Sequence, residues 1–247
     1  MTVEESDVRL ATRLATEAGT LLLALQKNGN LDGKALGAEG DRMANEFIMR
    51  SLRALRPDDA LLSEEEKDSS DRLTAKRVWI IDPLDGTREY GEKRTDWAVH
   101  VALAIDGTAA IGAVALPGLD ITLSSGTAPK LAKANAPLRM VVSRTRPAAE
   151  AIKVAELIGA VLVPMGSAGA KAMAVVRGEA DIYLHTGGQY EWDNCAPVAV
   201  ARAAGLHVSR VDGSPMRYNN RDTSLPDLLI CRPELAEIAL RAVATRG

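Results

Sequence analysis

The chain has 247 residues, 47% of them hydrophobic, enough for a packed core in one large domain or two small ones. A net charge of −3 and an aromatic content of 3% exclude the basic stripe and stacking rings of a nucleic-acid surface, and leave small nucleotides open. The two cysteines, Cys195 and Cys231, argue against a disulfide framework and for a reducing compartment. The start, with Glu4, Glu5 and Asp7, lacks the basic-then-apolar order of a signal peptide, and no run approaches the ~18 apolar residues of a membrane span. A soluble cytoplasmic protein with no membrane partner is expected.

Ala11, Leu14, Ala15, Ala18, Leu21, Leu22 and Leu25 recur at helical spacing and predict a long first helix. Gly29, Gly33, Gly37 and Gly40 read as a mobile connection. A second helix then begins near Asp41, turns Met43, Phe47, Ile48, Leu52 and Leu55 inward, and stops at Pro57. Residues 60–62 and 78–81 are apolar runs of strand type, the second of which Pro83 should end. Residues 97–105 and 109–116 form a hairpin across Asp106-Gly107, and 121–123 completes an antiparallel set. The stretch 127–137, rich in Ala, Lys and Pro, marks the boundary between halves. Strands at 138–143, 160–164 and 181–184 then alternate with helices at 148–158, 170–177 and 195–204, as α/β units do. The expected organisation is an N-terminal α+β half, residues 1–134, and a C-terminal α/β half, residues 135–247, in one compact catalytic unit.

Chemistry concentrates in Asp82-Pro83-Leu84-Asp85-Gly86-Thr87. Two carboxylates, a rigid turn, a glycine and a hydroxyl at a strand's carboxyl end are the parts needed to hold a divalent metal beside a phosphate. The same residue types also build ordinary surface turns. A second cluster, Ser63-Glu64-Glu65-Glu66, follows the run 60–62; the strand aims Glu64, whereas Glu66, Asp68 and Asp71 read as a solvated face. The third is Trp192-Asp193-Asn194, where Asp193 also suits a helix N-cap. Carboxylates and a backbone carbonyl, without His or Cys nearby, suit Mg²⁺ or Mn²⁺ rather than Zn²⁺. Four converging acids would repel one another, which makes the metal part of the local structure. His100, His185 and His207, in or beside strand-like runs, read as packed or surface residues and not as catalysts.

With Glu64-Glu65, Asp82 to Thr87 and Trp192-Asp193 in that order, the chain resembles, over nearly its whole length, the inositol monophosphatase-like superfamily of metal-dependent, lithium-sensitive phosphatases. Within it the likeness is closest to the CysQ-type phosphatases of 3'-phosphoadenosine 5'-phosphate. Val142-Ser143-Arg144, Gly166-Ser167-Ala168-Gly169-Ala170-Lys171 and Trp192-Asp193-Asn194-Cys195-Ala196-Pro197 carry that likeness. The resemblance implies a layered αβαβα sugar-phosphatase fold, two or three Mg²⁺ ions with Mn²⁺ as a substitute, inhibition by Li⁺, and a homodimer. It implies Glu64, Asp82, Asp85, Asp193 and the Leu84 carbonyl as metal ligands. Glu65 and Thr87 would position a metal-activated water, Asp41 would bond to Thr87, and the N–H groups of Gly86 and Thr87 would cradle the phosphate.

Gly37-Ala38-Glu39-Gly40 departs from the family's usual approach to that acid, so Asp41 also reads as a plain helix cap. Ser143, Arg144, Gly166, Ser167 and Lys171, with Asp193, would meet the substrate. Ser143-Arg144 and Lys171 suit a second phosphate or a ribose, and equally read as exposed residues at element ends. Thr145-Arg146 stands where the subgroup has Ser-His. The implied reaction is hydrolysis of the nucleotide to AMP and phosphate, in support of sulfate assimilation. Inositol 1-phosphate and fructose 1,6-bisphosphate are alternative substrates on the same fold, and a non-catalytic phosphate sensor is an alternative of another class. A dehalogenase-type aspartyl-phosphate route needs an acid at position 83, which is proline.

Overall fold

The first helical pattern is realised as α1, Asp7–Asn28, in the computed structural model, which describes residues 5–244. Glu4 of the acidic start lies outside the described residues. The apolar stripe of α1 is buried from Leu10 to Leu22, and the helix closes at Gly29 with φ 68°.

The next helix corrects the sequence reading. Helix α2, Gly33–Leu55, begins well before Asp41, and three of the four supposed linker glycines lie inside it. Two of them serve close packing: a Cβ on Gly37 would stand 2.7 Å from Thr87 Cγ2, and one on Gly40 2.9 Å from the Tyr90 ring. Its inward stripe is Leu36, Ala44, Ile48, Met49 and Leu52. Met43 and Phe47 are only half-buried and Leu55 is exposed, because they lie on the flank of the helix, where they line a shallow groove with Leu21.

Strands β1, Ala60–Ser63, and β2, Arg77–Asp85, pair in parallel. The second does not stop at Pro83 as expected. Its register against β3, Ala98–Ile105, slips so that Asp82 faces His100 and Asp85 faces Ala98. Pro83, which has no N–H to donate, sits in that irregularity. Between β2 and β3 comes the single turn α3, Thr87–Gly91. The predicted hairpin joins β3 to β4, Thr108–Leu116, with Asp106 and Gly107 at φ 49° and 73°, and β5, Ile121–Ser124, completes a sheet in sequential order.

The second half follows the expected alternation with shifted ends. It contains β6 Arg139–Ser143, α4 Ala149–Ile158, β7 Val161–Met165, α5 Ala168–Val176, β8 Ile182–Tyr190, α6 Glu191–Ala203, β9 His207–Ser209, β10 Ser224–Cys231 and α7 Ala236–Ala244. The sheet order is β7-β6-β8-β10-β9. Helix α6 starts at Glu191, so Asp193 lies in its first turn and not at the N-cap.

Alternation along the first sheet explains the layering. Trp79, Ile81, Val99, Val101 and Leu103 pack against α1 and α2, whereas Val78, Ile80, Ala98, Ala102 and Ala104 pack on α5 and α6. The far side of α5 and α6 meets the second sheet through Val141, Tyr183, Leu228 and Ile230, and α4 and α7 close its outer face. The result is the expected αβαβα stack, with α5 and α6 as the layer shared by both sheets. Cys195 and Cys231 are both buried free thiols. Among the described residues no helix is long and apolar enough to cross a membrane.

Candidate active site

Three carboxylates from two layers converge. Asp82 and Asp85 at the end of β2 and Asp193 in α6 each offer an oxygen, and these oxygens lie within 4.8 Å of one another. Asp82 Oδ1 accepts the Leu84 N–H at 3.1 Å. Asp193 Oδ2 accepts the Tyr190 N–H at 2.6 Å. Asp85 is held hardest: its two oxygens accept the N–H groups of Ala168 at 3.1 Å and Gly169 at 2.6 Å, which open α5.

The turn after Asp85 requires its glycine. Gly86 has φ 90°, and a Cβ there would sit 3.0 Å from that of Ser167. Thr87 Oγ1 donates to the Leu84 carbonyl at 3.1 Å and lies 3.5 Å from Asp41 Oδ1. Thr87 and Asp41 thus lie side by side, with the shorter of the hydroxyl's two contacts going to the Leu84 carbonyl. The N-cap reading of Asp41 is overturned, since the residue is buried in the body of α2. Glu64 and Glu65 follow β1, where the Glu64 N–H reaches the Ile81 carbonyl at 3.2 Å and Ser63 Oγ accepts the Glu65 N–H at 3.3 Å.

Negative charge accumulates here beyond what His100 and Lys171 offset. Burial, then Glu64 and Asp85, pushes Asp82 well above the carboxylate range. Glu64 rises to about 7 through desolvation by the protein around its carboxylate, followed by Asp193 and Glu65, although the residue keeps exposed surface. Burial, with Glu65 and Glu64, lifts Asp41 to about 7, and burial with Asp85 lifts Asp193 to about 6. Asp85 is the exception: burial raises it, but His100, the Gly169 N–H and Lys171 together hold it below its ordinary value. A cluster of hard oxygen donors with an excess of negative charge fits a divalent cation of the Mg²⁺ or Mn²⁺ type.

The basic corner differs from the expected exposed residues. Lys171 is buried; its Nζ donates to the carbonyls of Gly166 and Ser167, the latter at 2.8 Å, and stands 5.4 Å from the centre of the Tyr183 ring. Desolvation lowers its pKa. Arg144 donates to Glu89 at 2.7 Å and Glu92 at 3.0 Å, and Ser143 Oγ accepts the Arg146 N–H at 3.2 Å. The Gly166 N–H donates to Asp96 at 2.7 Å, and Ser167 caps α5 by accepting the Ala170 N–H at 2.8 Å.

The Inositol monophosphatase family model matches residues 4–245. The chain belongs to this family. Among curated relatives, it is 49% identical over 255 residues to the 3'-phosphoadenosine 5'-phosphate phosphatase of Mycobacterium leprae (strain TN), covering 97% of this chain and 94% of that protein. It is 33% identical over 198 residues to the 3'(2'),5'-bisphosphate nucleotidase CysQ of Escherichia coli (strain K12), covering 75% and 80%. Of solved structures, CysQ from Bacteroides thetaiotaomicron superposes with a TM-score of 0.78 at 25% identity, covering 92% of this chain and 97% of that one.

One residue of this inositol monophosphatase family member was missed as a site neighbour. His100, fully buried on β3, has Nδ1 3.0 Å from the Trp192 carbonyl and Nε2 3.2 Å from Asp85 Oδ2. Burial lowers its pKa, but Asp85 and the Trp192 carbonyl outweigh that and raise it. A histidine inside an otherwise apolar strand was the available signal. Glu191 was also missed; buried at the start of α6, it accepts the N–H groups of Asn219 and Asn220 at 2.7 and 2.8 Å and anchors that loop.

Proposed function

We propose that the protein is a Mg²⁺-dependent phosphomonoesterase that hydrolyses 3'-phosphoadenosine 5'-phosphate to AMP and phosphate, in support of sulfate assimilation. The observation that carries this reading is the convergence of Asp82, Asp85 and Asp193 from two layers of the fold. The name of the Mycobacterium leprae relative, aligned over nearly the whole chain, supports the nucleotide as substrate.

In this reading Glu64, Asp82, Asp85, Asp193 and the Leu84 carbonyl hold two or three Mg²⁺ ions, with Mn²⁺ as a substitute and Li⁺ as an inhibitor. Bound divalent ions supply charge neutralisation at the phosphoryl group and a more acidic water. Glu65 and the Asp41–Thr87 pair orient the attacking water. Thr87 Oγ1 is turned by its bond to the Leu84 carbonyl, which fixes where its lone pairs point. The N–H groups of Gly86 and Thr87 receive phosphate oxygens. Arg144 exchanges Glu89 and Glu92 for the second phosphate, and Ser143, Gly166, Ser167 and Lys171 shape the wall beside the ribose. The two halves, 1–134 and 135–247, act as one catalytic unit, in a cytoplasmic homodimer.

Phosphate release from 3'-phosphoadenosine 5'-phosphate, inositol 1-phosphate and fructose 1,6-bisphosphate, with Mg²⁺ and with excess chelator, tests the proposal. The expected result is a chelator-sensitive preference for the nucleotide of at least tenfold in kcat/KM, about 1.4 kcal/mol. Comparable rates on all three substrates would make the protein a broad phosphatase of the same fold. Binding without turnover at saturating Mg²⁺ would make it a phosphate sensor, and indifference to Li⁺ would count against this reading of the metal site.

A further inference from the structure

His100 takes part in none of the steps above, yet it is the side chain through which the two sources of carboxylate touch. It projects from β3 of the first sheet into the shared helical layer. On one side its Nδ1 lies 3.0 Å from the carbonyl of Trp192, the residue before Asp193. On the other its Nε2 lies 3.2 Å from Asp85 Oδ2. The ring has no exposed surface, and among the described residues its Nε2 makes no hydrogen bond, so the approach to Asp85 is a close contact of an otherwise unpartnered nitrogen.

The pocket around the ring is built for it. A Cβ on Gly169 would stand 2.1 Å from Nε2 and 3.0 Å from Cε1, so only glycine at that helical position leaves room for the imidazole. The same Gly169 donates its N–H to Asp85 Oδ2. The ring and the start of α5 therefore press on one carboxylate oxygen from two directions, which leaves Asp85 little rotational freedom. A polar group sealed in an apolar layer costs stability unless its contacts return something. An apolar side chain would suit this strand position, as Ala98 and Ala102 on the same face suit theirs.

We propose that His100 is a positioning residue that braces Asp85 against the Trp192–Asp193 segment and so fixes the spacing of the carboxylates that receive the divalent ion. The inference rests on the metal reading of that cluster. Groups that orient ligands without touching the ion commonly carry about 10–100-fold of metal affinity.

Isothermal titration of Mg²⁺ into the metal-stripped protein tests this directly, with no substrate present. His100→Leu should weaken Mg²⁺ binding at least tenfold. His100→Gln places an amide nitrogen where Nε2 stands and should stay within about threefold of wild type, whereas His100→Asn reaches only towards the Trp192 carbonyl and should behave like the leucine variant. Gly169→Ala should mimic the loss by pushing the ring aside. Equal affinity in wild type and His100→Leu, or no recovery in His100→Gln, overturns the brace. If the leucine variant fails to fold, the glutamine and asparagine pair decides, and equal affinity in those two overturns the proposal. A wild-type protein that takes up no Mg²⁺ overturns the metal reading itself, a result distinct from five proteins that all bind alike.

Discussion

The two corners of the site balance their charge in opposite ways. At one, Asp41, Glu64, Asp82 and Asp193 are all pushed upward by burial and by neighbouring carboxylates. At the other, Arg144 is already paired with Glu89 and Glu92, and Lys171 with two carbonyls. A cation entering the first corner relieves a repulsion that the fold has built in. A phosphate entering the second must compete with carboxylates already seated there. Metal affinity should therefore be set by the scaffold, and substrate choice by exchange among surface partners.

The largest effect should come from breaking the first corner. Asp193→Asn removes one of three converging donors; with several kcal/mol of charge stabilisation at stake, kcat/KM should fall by about 10²–10³ in a phosphate-release assay. Near-normal turnover would remove Asp193 from the site.

The second corner should respond by substrate. Arg144→Ala deletes a charged hydrogen bond worth ~1.5–3 kcal/mol, so kcat/KM for the bisphosphorylated nucleotide should drop by about tenfold or more while that for inositol 1-phosphate changes little. Equal losses on both would mean that Arg144 only holds Glu89 and Glu92 in place.

Packing between the corners can be tested at Gly37. The alanine variant forces a Cβ to within 2.7 Å of Thr87 Cγ2, and such overpacking costs ~1–3 kcal/mol. Thermal denaturation should register the loss, and kcat should fall with it, because Thr87 must move. Unchanged stability would show that α2 and α3 can separate freely.

The remaining effect expected is one of pH. Asp41 and Asp193 bind protons more tightly folded than unfolded, with folded values of about 7 and about 6 against ordinary values of 3.8. Their contribution is favourable at low pH and is lost as pH rises from about 4 to about 7, because the native state then holds protons that the unfolded chain has released. Urea denaturation of chelated protein at pH 5 and pH 8 should show that loss, and Mg²⁺ should stabilise more at pH 8. Identical Mg²⁺ stabilisation at both values would separate the ion from these carboxylates.

What was legible in the sequence was local. The run Asp82 to Thr87, the acids after β1 and Trp192-Asp193 announce themselves by residue type, and Asp106-Gly107 announces its hairpin through two positive φ angles. The layer order was implied by the family resemblance, and the unbroken apolar runs agree with sheets covered on both faces. The failures were contacts between distant segments. Gly37 and Gly40 resemble a linker until Thr87 and Tyr90 are laid against them. Pro83 resembles a strand end until the register slip beside it is known. Lys171 reads as a surface cation because nothing nearby in sequence shows that it will be buried over Tyr183. His100 reads as core because Asp85 and Trp192 reach it only after folding.

Asp85 is committed twice, to the carboxylate cluster and to the first N–H groups of α5. An investigator seeking a silenced form that still captures substrate should leave it alone. Asparagine there would turn an amide towards the Gly169 or the Ala168 N–H, donor against donor, and the end of α5 that carries Ser167 and Lys171 would drift from the pocket wall. At Asp193 an asparagine oxygen can keep the Tyr190 N–H, so a variant silenced at that position would leave the start of α6 in place.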